Sequence, residues 1–339
     1  MRRAQSHSAQ HGGRFVPVFS PSDDLLSQRR LNARAVHDAG FPVVVWTVND
    51  QQRMLQLIEL PVDGIISDRP DLLHEALVAN NASKPLLNKD GQVDRSRFDA
   101  EGHRGGRDLR PENTIPAFEA GLDNLISTIE TDTGVTREGV SVISHEPFVN
   151  PQTCRQKDGK AYDQENQRLI RDLSASEIQN AFICDKVFRG PTQKNDLTLS
   201  PVSVAFAEKL KFIHPYVLPT TQQLFDFVRF YEEYYCCGAG KRHPDARARS
   251  ENAGRVRFNL ETKIDPRPQF ATRTFGPEVF VKALAGVITA NHLEARADVQ
   301  SFDFRTLVLV EEQFPLVRTV YLVGEPAQLQ DQYWPPQLR

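Results

Sequence analysis

The chain has 339 residues, which is enough for one large domain or two domains of ordinary size. Apolar residues make up 40% of it and charged residues 25%, with a net charge of −3, an ordinary composition for a globular protein. Without a strong basic excess, nucleic acid is not an expected partner, and no apolar run is long enough to span a membrane.

The first residues, Met1–Arg14, are polar and include histidine and arginine. We interpret them as a disordered N-terminal tail. They contain no apolar stretch typical of an export signal, so no signal peptide is visible in this chain. A leader that was removed or replaced would leave the compartment open.

Short β-branched runs alternate with helical patterns along the rest of the chain. Eight runs predict strands: Val43–Val48, Asp63–Ser67, Phe98–Arg104, Ser127–Asp132, Val140–His145, Val256–Lys263, Ala297–Asp303 and Thr319–Val323. Five segments predict helices: Asp23–Ala39, Gln51–Leu60, Thr114–Gly121, Thr221–Tyr235 and Pro277–Asn291. Most of the runs are short and apolar, as in a parallel sheet that helices cover. The alternation predicts an α/β fold of the (β/α)8 TIM-barrel class.

Four segments do not fit a minimal repeat. Asn80–Arg97 is rich in Asn, Lys and Asp and predicts a linker. Pro147–Pro219 is too long for a simple loop and predicts an insertion between two strands. The basic stretch Lys241–Arg255 predicts a solvated surface excursion. Gly324–Arg339, after the last predicted strand, is interpreted as a C-terminal tail.

The four cysteines are Cys154, Cys184, Cys236 and Cys237, and no C-x-x-C pair occurs among them. A zinc ribbon or a redox motif is therefore not expected. We interpret the cysteines as buried small apolar side chains. One disulfide is the alternative if the protein is exported.

Polar and aromatic residues follow the apolar runs at their carboxyl ends, where barrel enzymes hold their reactive groups. In chain order they are Trp46 and Asn49, His103 and Arg104, Glu130 and Asp132, His145, Glu261 and Lys263, and Ser301 and Asp303. Any one of them has an ordinary structural explanation, such as a solvated strand end. Their coincidence at one end of several apolar strands favours an active site.

Three of these residues are carboxylates that suit a metal ion. Glu130 and Asp132 are two positions apart, so on a strand both side chains point to the same face. Together with Glu261 they supply three hard oxygen ligands, the set that Mg²⁺ or Ca²⁺ prefers.

The remaining ionisable residues suit phosphate chemistry. His103 and His145 could serve as general acid and base, because imidazole titrates near neutrality. Arg104 and Lys263 offer positive charge for a phosphate group, arginine as a planar fork and lysine as a point charge.

At these positions the sequence resembles the glycerophosphodiester phosphodiesterase family. His103–Thr114 (HRGGRDLRPENT) resembles the family's opening signature, in which His-Arg-Gly is followed shortly by Pro-Glu-Asn-Thr. Further resembling elements are Ile129–Asp132, Ser144–Glu146, Asn259–Lys263, Gln300–Asp303, Trp46–Asn49 and Asp63–Pro70. The resemblance covers nearly the whole chain from Phe15 onward.

The resemblance implies hydrolysis of a small-molecule glycerophosphodiester to sn-glycerol 3-phosphate and an alcohol, with one divalent cation, Ca²⁺ or Mg²⁺. The implied site comprises the acid/base pair His103 and His145, the metal ligands Glu130, Asp132 and Glu261, the phosphate-binding Arg104 and Lys263, and the pocket residues Trp46 and Phe302. The insertion resembles that of larger bacterial-type members, many of which are exported, and this implies a periplasmic or secreted location.

The order of the elements predicts a circular permutation, because the family's closing motif, Asp63–Pro70, here precedes its opening motif. We assign residues 15–79 to the last two β/α units, 80–97 to a linker and 98–323 to the first six units, with an insertion at 147–219 after the third family strand. Swapping of the N-terminal segment between two chains, or an order that arose when the gene was assembled, are the alternatives. The linker can easily span neighbouring strands, so we favour permutation within one chain, as a monomer or a homodimer.

Two other functions are weighed against this one. The first is a phospholipase D-like or lyase activity on lysophospholipids or sphingomyelin, which uses a similar barrel with two histidines and one metal. The second is a non-catalytic barrel that only binds a ligand. The presence of both histidines, all three carboxylates and the lysine disfavours the second alternative.

Overall fold

Parallel strands form the centre of the computed structural model, which describes residues 1–330 and 333–339. The strands of this part of the chain are β1 (Val18–Pro21), β2 (Val44–Val45), β3 (Gly64–Ser67), β4 (Asp99–Gly102), β5 (Thr128–Val135), β6 (Ser141–Ile143), β7 (Arg155–Gln156), β8 (Phe182–Ile183), β9 (Arg257–Thr262), β10 (Ala297–Ser301) and β11 (Arg318–Val323).

Helices surround these strands. They are α1 (Arg2–Gln10), α2 (Asp23–Ser27), α3 (Ala33–Asp38), α4 (Gln51–Ile58), α5 (Pro70–Asn80), α6 (Ile115–Asp123), α7 (Ala175–Ala181), α8 (Pro201–Leu210), α9 (Thr221–Cys236), α10 (Ala246–Arg255), α11 (Pro277–Ala290) and α12 (Phe304–Gln313).

Eight of the strands close into a barrel in chain order, β1-β2-β3-β4-β5-β9-β10-β11. β11 pairs in parallel with β1, from Val18↔Val320 to Pro21↔Val323. Two parallel bridges, Phe19↔Val43 and Ser22↔Trp46, join β1 to β2 and complete the ring. The predicted (β/α)8 TIM barrel is confirmed.

Two strand predictions were wrong in detail. The run Val140–His145 forms β6, which pairs antiparallel with the end of β5 and lies outside the barrel. The missing barrel strand is β1, a short segment next to Pro17 that ends at Pro21. Prolines at the borders of a run obscure a strand pattern, because proline removes a backbone donor. Residues 15–79 therefore supply three barrel strands rather than two, and residues 98–323 supply five rather than six.

The N-terminal segment completes the barrel of its own chain, since β1 pairs with β11 and β3 pairs with β4. Residues 80–97 connect α5 to β4 and bury Leu86 and Val93 against the barrel side. A single chain thus contains all eight barrel strands. That the order of motifs arose by circular permutation stays a prediction.

The prediction of a disordered N-terminal tail is wrong, because these residues are helical, and the C-terminal tail packs against the barrel. Residues 2–10 form α1, which buries Ala4 and His7 and contacts α12. In the C-terminal stretch, Trp334 packs on Phe304 and Tyr321 with ring centroids 4.8 and 5.5 Å away. The tail assignment also covers residues 331–332, which lie outside the described residues. Burial of a few apolar side chains holds both ends of the chain against the barrel. The composition of the two segments does not indicate this burial.

Two further expectations change in the helical layer. The predicted helix Asp23–Ala39 is split into α2 and α3, because Arg29 adopts a positive φ of 56° and Asn32 caps a new helix. The predicted surface excursion Lys241–Arg255 contains α10, which buries Ala246 and Ala253 against α9. The high charge of this helix and its few small buried residues make its sequence similar to that of a loop. In the described residues, no helix is long and apolar enough to cross a membrane.

The insertion after β6 has its own small apolar cluster and a disulfide. Cys154 and Cys184 are bonded beside the β7–β8 pair. Cys236 and Cys237 are exposed thiols. Cys154 and Cys184 are buried as interpreted, but they form the one disulfide that was the alternative, and the interpretation is wrong for the exposed Cys236 and Cys237. Pairing depends on a tertiary approach that spacing does not reveal.

The disulfide closes a loop with a sequence separation of 30 residues. In the chain-entropy account such a cross-link is worth about 3–4 kcal/mol, so replacing Cys154 and Cys184 by Ser should lower the free energy of unfolding by about that amount. Urea denaturation measures the change. The matched control replaces the exposed Cys236 and Cys237 by Ser and should shift stability by less than about 0.5 kcal/mol. Equal stability of the two double variants would contradict a structural role for the bond.

Candidate active site

The carboxyl ends of the barrel strands surround a cavity of about 250 Å³. Eight of the nine predicted site residues line it: Trp46, His103, Arg104, Glu130, His145, Glu261, Lys263 and Phe302. The ninth, Asp132, is fully buried beside them and contacts Arg104 and Lys263. The structure therefore brings together all nine residues of the implied site. The other strand-end candidates, Asn49, Ser301 and Asp303, do not line the cavity and bind Asp68, Thr262 and Arg305.

Three buried carboxylates form a cluster at the cavity. Glu130, Asp132 and Glu261 each offer an oxygen, and these oxygens all lie within 4.8 Å of one another. The register explains the cluster, because Glu130 and Asp132 share one face of β5 and Asp132 stands opposite Glu261 on β9. Glu130 is held by the backbone N–H of Arg104 at 2.9 Å and by the amide of Gln300 at 2.5 Å.

Crowding of these carboxyls sets their ionisation. Burial, reinforced by the neighbouring Asp132, raises the pKa of Glu130 well above its usual range. Burial also raises the pKa of Glu261, against the opposing effect of Lys263. For Asp132, Arg104, His145 and Lys263 outweigh burial and hold the pKa well below its usual range. The neighbouring cations do not balance the charge of all three carboxylates. Three hard oxygen ligands in such a setting fit a divalent cation of the Ca²⁺ or Mg²⁺ type.

Two cations lie against the carboxylates. The Arg104 guanidinium contacts Glu112 at 2.6 Å through Nη1 and Asp132 at 3.1 Å through Nε. The Lys263 ammonium lies 2.9 Å from Glu261 and 3.6 Å from Asp132. Burial opposes the charged form of Lys263, but Glu261 and Asp132 outweigh it and raise its pKa. Both residues are thus charged and face the cavity, as phosphate binding requires.

Each of the two histidines is oriented by a carboxylate. His103 Nδ1 lies 2.5 Å from an oxygen of Asp68, and His145 Nδ1 lies 2.8 Å from an oxygen of Glu146. A carboxylate can only accept, so Nδ1 donates in each case and the lone pair is on Nε2. For His103, Nε2 lies 3.9 Å from Glu130. Burial lowers the pKa of both histidines, partly offset by Asp68 at His103 and by Asp132 at His145.

A comparison of the sequence with protein families finds one that matches most of the chain. The glycerophosphoryl diester phosphodiesterase family matches residues 4–72 and 103–337. The chain belongs to this family. The two matched blocks include every predicted site residue.

Individual relatives match over shorter stretches. The Mycobacterium tuberculosis protein named "Probable glycerophosphodiester phosphodiesterase 2" is 41% identical over 64 residues, 19% of this chain and 21% of the relative. The mouse protein named "Lysophospholipase D GDPD3" is 36% identical over 70 residues, 21% of each chain. The chain thus matches about a fifth of the length of these relatives.

Solved structures of family members are distant from this chain. A Silicibacter pomeroyi protein assigned as a glycerophosphoryl diester phosphodiesterase has a TM-score of 0.48 and 24% identity, covering 68% of this chain and 66% of that one. An Oleispira antarctica phosphodiesterase, solved with the product sn-glycerol 3-phosphate, has a TM-score of 0.38 and 16% identity, covering 66% and 65%. Family membership rests on the sequence match.

Several residues of this family member's site were not singled out from the sequence. The Asp68 partner of His103 also accepts from Asn49 and from Arg189, each at 2.8 Å. His103 and Asn49 outweigh the effect of burial and hold the pKa of Asp68 below its usual range. Arg189 belongs to the insertion and also binds Asp108 at 2.8 Å. The insertion therefore fixes the carboxylate that orients His103.

The opening motif supplies two more of the missed residues. Asn113 donates to Asp132 at 2.9 Å and accepts from Thr131 at 2.8 Å, so it orients one metal-ligand candidate. Glu112 binds both Arg104 and Arg107. The sequence contained a signal for these residues in its family motifs. Glu112 and Asn113 belong to Pro-Glu-Asn-Thr, and Asp68 belongs to the Asp63–Pro70 element. What the sequence could not show is which partner each of them holds.

The fold of the opening motif requires glycine at position 105. Gly105 has a φ of +88°, and a Cβ there would lie 2.5 Å from the backbone of Ala117 in α6. This close approach turns the chain after β4, so that His103 and Arg104 face the cavity.

Two aromatic residues form the far wall of the cavity. Trp46 and Phe302 meet edge to face with centroids 5.5 Å apart, and Trp46 Nε1 donates to the Ser20 carbonyl at 2.8 Å. On the other side of Phe302 and His145 lies a second cavity of about 510 Å³. His145, Glu261, Lys263 and Phe302 line both cavities, whereas His103 and Trp46 line the first one only.

Proposed function

We propose that the protein hydrolyses glycerophosphodiesters to sn-glycerol 3-phosphate and an alcohol, with one bound Ca²⁺ or Mg²⁺. The observation that carries the proposal is the convergence on one cavity of three buried carboxylates, two cations and two histidines, each histidine oriented by a carboxylate. Membership in the phosphodiesterase family supports it.

The charges of the cavity suit a phosphodiester. Arg104 and Lys263 are charged groups next to the carboxylate cluster, so a phosphate oxygen that approaches the cluster meets both. They would orient the phosphate and stabilise the charge that develops on its oxygens. A divalent cation held by Glu130, Asp132 and Glu261 would add Lewis-acid polarisation of a phosphate oxygen.

The two histidines differ in position, and this assigns their roles within the proposal. His103 and Trp46 line only the first cavity, where the glycerol 3-phosphate part would lie. Its Nε2 would take the proton from the attacking hydroxyl, of water or of the substrate's own glycerol. His145 lies between the two cavities and would donate a proton to the oxygen of the alcohol as its bond to phosphorus breaks. The second cavity would hold that alcohol.

A lysophospholipase D-like reaction is the second candidate. The name of the mouse relative favours it, as do apolar side chains in the second cavity, such as Phe270 and Ile264, which could contact an acyl chain. It uses the same residues, with the glycerol and its acyl chain turned towards the second cavity, and the substrate decides between the two reactions.

The test is product analysis with the purified full chain in Ca²⁺ or Mg²⁺. We expect release of sn-glycerol 3-phosphate and choline from glycerophosphocholine, and no turnover in a chelated sample. Faster cleavage of lysophosphatidylcholine would replace the first candidate by the second. No turnover of either substrate with either ion would contradict both and leave a non-catalytic barrel.

A further inference from the structure

A second group of metal-ligand side chains lies outside the barrel, between α1 and α12. His7, His11 and Glu312 each offer a ligand atom, and the three atoms lie within 4.8 Å of one another. His7 Nε2 is 3.4 Å from Glu312 Oε1, and the two imidazole rings are 4.5 Å apart. The group is remote in sequence from the active-site carboxylates and shares no residue with them.

The helix explains why the two histidines meet. Residues four apart lie one above the other on the same face of a helix, and His7 and His11 have this spacing in α1 and at its C-cap. Glu312 lies near the end of α12, which packs against α1. Two histidines one turn apart and a carboxylate from a neighbouring element can supply three of the four ligands of a tetrahedral zinc site.

The polar contacts inside the group are loose. His7 is buried, with 8% of its surface exposed, and its Nε2 faces Glu312 at 3.4 Å but makes no hydrogen bond of good geometry within the described part of the chain. A buried polar atom without a partner costs free energy. His11 Nδ1 lies 2.9 Å from the carbonyl oxygen of His7 and must donate to it, which leaves the lone pair on Nε2.

We propose that His7, His11 and Glu312 bind a Zn²⁺ ion that fastens α1 to α12. Two imidazoles and one carboxylate select a borderline transition metal, whereas the oxygen-only cluster in the barrel suits Ca²⁺ or Mg²⁺. His11 is exposed, so a water molecule can occupy the fourth position. The proposed role is structural and does not depend on the proposed function.

The test titrates the untagged full chain with Zn²⁺ in excess Mg²⁺, which occupies the barrel cluster. After desalting, metal analysis should find about one zinc per chain. A hundredfold excess over Kd should raise Tm by about 3–6 °C. The double variant His7→Gln/His11→Gln should lose this zinc and the Tm response, and Glu312→Gln should weaken binding at least tenfold while keeping both histidines.

Two controls separate the sites. Glu130→Gln/Glu261→Gln alters only the barrel cluster and should bind zinc in Mg²⁺ like the parent, whether or not the chain hydrolyses phosphodiesters. In zinc-free buffer the Tm of Glu312→Gln should equal that of the parent, because Glu312 is only half-buried. Zinc stoichiometry and affinity that are unchanged in both the histidine double variant and Glu312→Gln would overturn the proposal, as would a parent chain that binds no zinc in excess Mg²⁺.

Discussion

Replacing His103 by Gln is expected to lower kcat for glycerophosphocholine by about 10²–10⁴-fold, the usual contribution of a general acid or base. Glutamine fills a similar volume and can still donate to Asp68, so the fold should persist. It has no lone pair of suitable basicity at the position of Nε2. Steady-state kinetics measure the loss, and urea denaturation checks that the free energy of unfolding stays close to that of the parent.

The matched control for this variant is His37→Gln. His37 is an exposed residue of α3, and its only ionic contact in the described residues is Asp63 at 3.5 Å. This control should leave kcat unchanged. If His103→Gln retained activity within a few-fold of the control, His103 would not be a catalytic residue, although the cavity and the metal-ligand cluster would stand.

The barrel could be predicted because local sequence fixes most of it. Short apolar runs alternating with helices are enough to indicate a parallel sheet, and the confirmed strands β3 and β11 carry such runs. The wrong strand predictions concern segments whose structure depends on which strand they pair with in the folded protein. β6 has a strand sequence but pairs only with β5, and β1 is a four-residue segment that becomes a strand because β11 lies beside it.

The site residues could be predicted for a different reason. All of them except His145 lie at the end of a barrel strand or within a few residues of it, and parallel strands bring their carboxyl ends to one rim. His145 follows β6, which pairs with the end of β5. This rule says which residues converge and not which atoms touch. The contacts of Asp68 with both His103 and Arg189 join three distant parts of the chain. No spacing in the sequence encodes such a contact.

The same limit explains the disulfide and the N-terminal helix. Cys154 and Cys184 meet because the β7–β8 pair brings residues 155 and 183 together, and that pairing has only two residues on each strand. α1 is polar and has no apolar stripe of its own, yet it buries Ala4 and His7 against the barrel helices. Composition alone predicted disorder there, since it does not measure contacts with the rest of the chain.

If His145 is the general acid, its replacement should also cause a large loss of activity. Replacing His145 by Gln should lower kcat for glycerophosphocholine by about 10²–10⁴-fold, because the choline oxygen leaves as a poor, strongly basic alkoxide unless it is protonated. The same variant should lose less than about 10-fold on the p-nitrophenyl ester of glycerol phosphate. The nitrophenolate is a weak base and leaves without a proton, so the acid contributes little to that barrier.

His103→Gln provides the matched comparison, because the attacking hydroxyl needs a base whichever group leaves. Its loss should therefore be similar on both substrates. The difference between the two variants on the activated substrate is the decisive quantity. It separates a role in the departure of the alcohol from a role in holding the phosphate, since weakened phosphate binding would slow both substrates alike. Equal losses for His145→Gln on the two substrates would contradict the acid role and place His145 with Arg104 and Lys263 as a group that binds the phosphate.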